Sequence, residues 1–244
     1  MSKTILVTGG AGGICSDICR GLADDGLNVV VADYAHDAAE KVAAEIRENN
    51  QGDAMALKVD VGDPASVAEM MSRAIAKYRQ IDYAFCGAGV MDRVPVIEMP
   101  EHVWDRLMRI NLKGVFLCAQ AAAKHMIPRK EGRILSIASG RGVAGAPRSA
   151  HYAASKAGVI AFTKSLAVEL AADNITVNCV CPGATDTPMS RIGYSPEQFK
   201  KREEIPALMD GLTHKFEIVG LVRYLLSDAT KFVTGQTFFL RTPK

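Results

Sequence analysis

The sequence predicts an α/β fold: a doubly wound parallel sheet of seven strands in a single domain, with helices on both faces. Three observations predict it. Short β-branched runs alternate with longer amphipathic segments, the runs are apolar on both faces as doubly covered strands must be, and the first of them opens into a glycine-rich turn. At 244 residues, 48% of them hydrophobic, the chain can bury a full core.

Taken in order, strands are expected at Lys3–Thr8, Asn28–Asp33, Ala54–Asp60, Ile81–Cys86, Gly132–Ser139 and Ile175–Cys181, each followed by a helical stretch. A seventh, Gly235–Leu240, comes near the end. Asp63-Pro64 places a side-chain acceptor before a proline, whose fixed φ suits a first helical position, so a helix opens there and runs to about Tyr78. The segment from about Ser149 to Ala172 carries Ile160, Leu166 and Leu170 among its apolar positions and is the longest expected helix. No repeat, low-complexity tract or Pro/Ser-rich linker divides residues 1–244, which read as one domain. One long irregular piece, about 182–213, follows the sixth strand and mixes Gly, Pro, Met and charge.

The 29 basic and 27 acidic residues leave a formal charge of +2, which gives no reason to expect nucleic acid or a membrane surface as partner and favours a small molecule. No apolar stretch reaches the roughly 18 residues that span a bilayer, and the opening is too quickly glycine-rich for a signal peptide, so a cytoplasmic protein is expected. Cys15, Cys19, Cys86, Cys118, Cys179 and Cys181 show neither zinc-type pairs nor a disulfide framework and read as buried free thiols.

The stretch "TGGAGGIC", residues 8–15, occupies the turn after the first strand, where open parallel sheets bind their ligands. Gly9 would allow the tight turn, Gly13 would let the backbone approach a pyrophosphate, and the following helix would offer free N–H groups and the positive end of its dipole. Asp33 stands 20 residues past Gly13, at the end of the second strand, where a carboxylate can accept both ribose hydroxyls and repel a 2′-phosphate. With no Arg or Lys in the loop or directly after Asp33, NAD is preferred over NADP.

A second constellation is "ASGRGVAGAPRSAHYAASK". Ser139 ends the fifth strand, on the same sheet edge as the glycine turn, and Tyr152 and Lys156 lie one helical turn apart on one face. An ammonium beside a phenol favours the phenolate, so Tyr152 can exchange a proton with an alcohol or carbonyl oxygen that the Ser139 hydroxyl holds. Arg141, Arg148 and Arg191 fall around this region and in the following loop, and could clamp an anionic substrate group; Glu197, Glu203 and Glu204 are interleaved with the loop's cations, the pattern of a solvated surface.

With these motifs, "DV" at Asp60-Val61, "CGAG" at Cys86–Gly89, "NLKG" at Asn111–Gly114 and "CPGATDT" at Cys181–Thr187, the chain resembles the short-chain dehydrogenase/reductase family from about Lys3 to Leu240. The resemblance implies a Rossmann-type fold and hydride transfer between NAD(P) and an alcohol or ketone. It implies that Asn111 binds a water in a proton relay, Ser139 orients the substrate oxygen, Tyr152 is the acid/base, and Lys156 assists it while holding the nicotinamide ribose. Gly9, Gly13, Ile14 and Asp33 would bind the cofactor, Asp60 and Val61 would flank the adenine, and Ala88 and Gly89 would add backbone contacts. Pro182, Gly183 and Thr187 would line the nicotinamide, and no metal would be needed. Helices over about 101–126 and 149–172 would pair across a dimer, usually within a tetramer. Three positions depart from the family pattern: Cys15 replaces a usual Gly, Cys86-Gly87 replaces two usual asparagines, and "FFLRTPK" replaces the frequent Asp-Gly-Gly ending.

The leading expectation is an NAD-dependent dehydrogenase of a secondary alcohol, which could be a small anionic hydroxy compound. The alternatives are a 3-oxoacyl thioester reductase, an activity that usually takes NADP, and a dinucleotide-sensing protein without catalysis.

Overall fold

The structure, a computed structural model, describes residues 2–49, 52–205 and 211–240. Seven strands form one sheet: β1 Thr4–Thr8, β2 Asn28–Asp33, β3 Ala54–Lys58, β4 Tyr83–Cys86, β5 Gly132–Ile137, β6 Ile175–Cys181 and β7 Thr237–Phe239. Every pairing is parallel and the order is β3-β2-β1-β4-β5-β6-β7. The winding reverses between β1 and β4, so the loops leaving these neighbours diverge to opposite faces and open a crevice at the carboxyl edge.

Each connection is helical because its apolar residues recur at helical spacing. In α1 (Cys15–Asp24) the buried residues include Cys15, Ile18, Cys19 and Leu22; in α2 (His36–Asn49) they are Ala39, Val42, Ala43 and Ile46; and in α3 (Pro64–Tyr78) they are Val67, Met70, Met71 and Ala74. Three times the spacing is i, i+3, i+4, i+7, one apolar stripe that must find a sheet. The remaining helices are α4 (Glu101–Met108), α5 (Gly114–Met126), the short α6 (Arg141–Ala144), α7 (Ala150–Leu170), α8 (Pro196–Glu203) and α9 (Lys215–Leu226).

The core lies on both faces of the sheet. Side chains of α3, α5 and α7 pack with Leu6, Val30 and Ile134 on one face, and those of α1, α2 and α9 with Ile5, Val7, Val31 and Phe85 on the other. Burying each such aliphatic side chain contributes on the order of 1.5–3 kcal/mol, so the two layers fix the sheet edge on which the site is built.

Three sequence expectations need correction. Ser139 lies two residues beyond β5 rather than at its end, in the bend that leads into α6. The irregular piece after β6 is not wholly irregular, since Pro196–Glu203 is helical; residues 206–210 of that loop, and the changed ending Arg241–Lys244, lie outside the described residues. The helix over 101–126 is interrupted by a wide π-turn at Arg109–Lys113 between α4 and α5, a kind of turn frequent at functional sites. Among the described residues no helix is long and apolar enough to cross a membrane, and no group of His, Cys, Asp or Glu is placed to hold a metal.

The start of α3 follows its sequence signal: Asp63 Oδ1 accepts the Ala65 N–H at 3.1 Å, just ahead of Pro64. Asp63→Ala is expected to cost about 1 kcal/mol and to lower Tm by roughly 2–4 °C in a thermal melt followed by circular dichroism.

Candidate active site

A cleft of about 1080 Å³ opens at the carboxyl edge, across the reversal between β1 and β4. Its floor is the turn between β1 and α1. Gly9 has φ +69°, which only glycine adopts freely, and a Cβ there would come within 2.7 Å of the Ala88 Cα in the chain leaving β4. At Gly13 a Cβ would meet the Thr187 methyl at 2.8 Å. The Gly12 N–H donates to Gly9 O at 2.8 Å and closes the turn, and α1 then starts at Cys15 with no side chain capping its N-terminus. Bare backbone, uncapped helix N–H groups and the positive dipole end suit the pyrophosphate of a dinucleotide.

Two of the departures from the family pattern meet here. The Cys15 thiol is buried and faces Gly87, where an added Cβ would collide with its sulfur and lie 2.8 Å from Thr8 O. A side chain is present at 15 and absent at 87, so one substitution takes space that the other leaves. Burial, reinforced by the Asp33 charge, pushes the Cys15 thiol up to about 12. It stays protonated at neutral pH and acts as packing.

Asp33 lines the same cleft, its carboxylate fixed by N–H donors from Ala11 (3.1 Å) and Ala35 (3.0 Å). The two donors hold the carboxylate as a negative acceptor on the cleft wall. Parallel register also sets Lys58, at the end of β3, beside Asp33, with its Nζ 5.9 Å from the centre of the Tyr34 ring. Scanning residues next to Asp33 in the chain could not find this cation.

At the other end Ser139, Tyr152 and Lys156 all line the cleft. Tyr152 and Lys156 are brought together by α7, with Nζ 5.6 Å from the phenol ring centre. The Lys156 ammonium is 3% exposed and donates to Ile137 O at 2.9 Å, a neutral partner that leaves its charge intact beside the phenol. Ser139 Oγ accepts the Arg141 N–H at 3.3 Å, which fixes the hydroxyl and keeps its own proton for donation.

Asn111 sits on the π-turn and is fully buried, outside the cleft lining. Its Oδ1 accepts the Val90 N–H at 2.8 Å and its Nδ2 donates to Val90 O at 2.9 Å. The side-chain amide thus clamps the loop after β4, and its Nδ2 also lies 3.4 Å from Ser155 Oγ.

Gly9, Gly13, Ile14, Asp33, Asp60, Val61, Ala88, Gly89, Pro182, Gly183 and Thr187, all expected from the sequence, line this one cleft. The Thr187 side chain lies across Gly13, and its Oγ1 accepts the Ser190 N–H at 3.1 Å. The three arginines separate. Arg141 lines the cleft, with Nη1 3.5 Å from both Met91 Sδ and Ser149 Oγ. Arg148 is exposed and does not line it, and Arg191 makes a two-pronged pair with Asp186, both bonds 2.8 Å. The clamp of three is thus reduced to Arg141. Sequence reasoning missed Cys15 and Gly87 as a packed pair and Arg109 as a wall of the cleft, since no local motif marks them.

A family model described as "short chain dehydrogenase" matches residues 3–197. The chain is 38% identical over 242 residues to the 3-oxoacyl-(acyl-carrier-protein) reductase of Synechocystis, covering 97% of this chain and 94% of that protein. It is 36% identical over 239 residues to the enzyme of the same name from Staphylococcus aureus, covering 97% and 96%. Among solved structures, a short-chain type dehydrogenase/reductase from Mycobacterium marinum superposes with TM-score 0.90 at 33% identity, covering 98% of this chain and 94% of that one. An NAD⁺-bound xylitol dehydrogenase does so with TM-score 0.90 at 30% identity, covering 98% and 97%.

The Cys15–Gly87 contact makes a coupled prediction. Gly87→Ala is expected to cost about 1–3 kcal/mol by overpacking and less than half as much in a Cys15→Gly background, measured by urea unfolding. Equal losses in both would mean that the Thr8 carbonyl, not the thiol, limits the space.

Proposed function

Because the chain belongs to the short-chain dehydrogenase/reductase family, we propose that it is an NAD-dependent oxidoreductase interconverting a secondary alcohol and its ketone. The observation that carries this reading is Lys156, a buried ammonium beside the Tyr152 ring in the cleft that holds Ser139 and the glycine turn. A bound nicotinamide dinucleotide would supply or accept the hydride. Gly9, Gly13, Ile14 and the start of α1 hold its phosphates, Asp33 its adenosine ribose, Asp60 and Val61 the adenine. Ala88, Gly89, Lys156, Pro182, Gly183 and Thr187 hold its nicotinamide half.

Ser139 Oγ donates to the substrate oxygen and orients it. Tyr152 Oη takes the alcohol proton during oxidation and returns it during reduction. The Lys156 Nζ, 5.6 Å from the centre of the Tyr152 ring, places a cation beside that proton exchange. Asn111 binds a water of the proton relay and, with its amide on Val90, holds the cleft wall. The substrate end is walled by Val90, Met91 and Met189, apolar and adaptable, with the Arg141 guanidinium at one side. It suits a small hydroxy compound with an apolar flank and an anionic group. Homo-oligomerisation through α5 and α7 accompanies this reading; Phe116 and Val168 are exposed on them, 40% and 80%.

A second reading, reduction of 3-oxoacyl thioesters with NADP, is favoured by the names of the relatives and by Lys58 beside Asp33. A screen of hydroxy acids, polyols and 3-oxoacyl thioesters, each with both dinucleotides, separates the two. Tighter binding of NADP than NAD, with turnover of thioesters alone, would replace the first reading by the second.

Tyr152→Phe is expected to lower kcat/KM by about 10²–10⁴-fold with dinucleotide affinity within a few-fold, by calorimetry and stopped-flow absorbance. Equal activity in wild type and variant would refute the proton role, and dinucleotide binding without turnover of any alcohol or ketone would mean a sensor. Arg141→Ala is expected to raise KM for an anionic hydroxy substrate at least roughly tenfold, the scale of one charge-assisted hydrogen bond, while sparing neutral alcohols.

A further inference from the structure

Arg93 takes no part in the proton chemistry, yet its side chain joins the two loops that wall the substrate end. Two residues past Met91 on the loop after β4, it lays its guanidinium over the Tyr194 ring of the loop after β6, with Cζ 4.2 Å from the ring centre. Gly193 makes room for the approach: an added Cβ there would fall 2.5 Å from Arg93 Cδ, and its φ of +76° is one that only glycine adopts freely. Arg93 Nε is buried without a hydrogen-bond partner among the described residues, and the adjacent carboxylate, Asp92, is taken by Arg106 at 2.6 Å. The Tyr194 ring is thus the group that the guanidinium meets.

Both ends of this stack are anchored. Next to Arg93, the Val94 N–H donates to Arg148 O at 2.9 Å and ties the loop after β4 to the segment entering α7. On the other side Arg191, already paired with Asp186, has its Cζ 4.5 Å from the centre of the buried Phe199 ring, and the Tyr194 N–H donates to Arg191 O at 3.1 Å. The walls joined in this way carry Val90 and Met91 on one side and Met189 on the other, the apolar residues packed about Tyr152.

We propose that Arg93 is a positioning residue for substrate size: its stack on Tyr194 sets the spacing of the Met91 and Met189 walls, so that the cleft takes a compact secondary alcohol in preference to one with a long chain. The inference rests on the oxidoreductase reading above and narrows the substrate class of that site. Both loops lie beyond the strands, so contacts between them, rather than strand register, set their distance. Met91 and Met189 have adaptable side chains that would spread around a longer chain if their backbones could part. A guanidinium over an aromatic face opposes that parting, and its planar shape stacks where an ammonium would only touch. Walls held together also resist the extended arm of a 3-oxoacyl thioester, which sets this inference against the second reading.

Two measurements test it. Hydrogen exchange followed by mass spectrometry needs no substrate: Arg93→Ala should speed exchange over residues 187–199 about fivefold, the scale of one lost cation–π contact, and leave the glycine turn at 8–15 unchanged. In NAD-coupled assays with 3-hydroxybutanoate and 3-hydroxyoctanoate, wild type is expected to favour the shorter acid in kcat/KM by roughly fivefold or more. Arg93→Ala should bring that preference below about twofold, raising KM for the shorter acid while kcat stays within about twofold. Tyr194→Phe, which keeps the ring face, should retain the wild-type preference, and Arg93→Ala combined with Tyr194→Ala should do no more than either alone. The proposal is overturned if Arg93→Ala leaves loop exchange unchanged, keeps the wild-type preference or slows both acids alike, or if wild type favours the longer acid. Absence of turnover of any alcohol or ketone by wild type would overturn the oxidoreductase reading itself.

Discussion

The site depends on one close approach: the turn after β1 lies directly against the chain leaving β4. At Gly9 that distance leaves no room for a Cβ before the Ala88 backbone, and at Gly87 none before the Cys15 thiol. If these two stretches separate, the N-terminus of α1 no longer points into the crevice and the two ends of the cleft lose their common floor. The constraint is steric and works through backbone, which explains why the residues at its centre are those with the smallest side chains.

Around that contact the cleft walls are held by polar side chains that bind backbone. Asn111 grips both polar groups of Val90, Lys156 donates to Ile137 O, and Asp33 accepts from Ala11 and Ala35. Each bond ties a loop at the carboxyl edge to a neighbouring element. The π-turn contributes twice, since the same five residues carry Asn111 toward the loop after β4 and Arg109 toward Asp60. Arg109 and Asn111 are two residues apart, and helical side chains at that spacing point to different sides, so one short turn serves two walls.

The Cys15–Gly87 contact also changes the meaning of two residues that look like damage to a motif when taken one at a time. Position 15 gains a side chain where position 87 lacks one, and the volume is exchanged across the floor of the cleft. Since a packed interior tolerates redistribution of volume better than its loss or excess, the pair is more readily kept than either member alone.

The sequence by itself determined the layer order, most of the elements and both ends of the cleft. Apolar runs and the i, i+3, i+4, i+7 stripes are local consequences of which faces must be buried, and Gly9, Gly13, Asp33, Tyr152 and Lys156 announce themselves by spacing along single elements. Only the tertiary structure decided what lies across from what. Lys58 comes beside Asp33 through strand register; Cys15 fills the space beside Gly87 through the β1–β4 contact; Asn111 spends its amide on Val90 through a widened turn that no Pro marks. Arg141, Arg148 and Arg191, alike as letters, part company because only one reaches the cleft. Periodicity carries information about one element's own faces, whereas these pairings are made between elements distant in the chain, where no local pattern can record them.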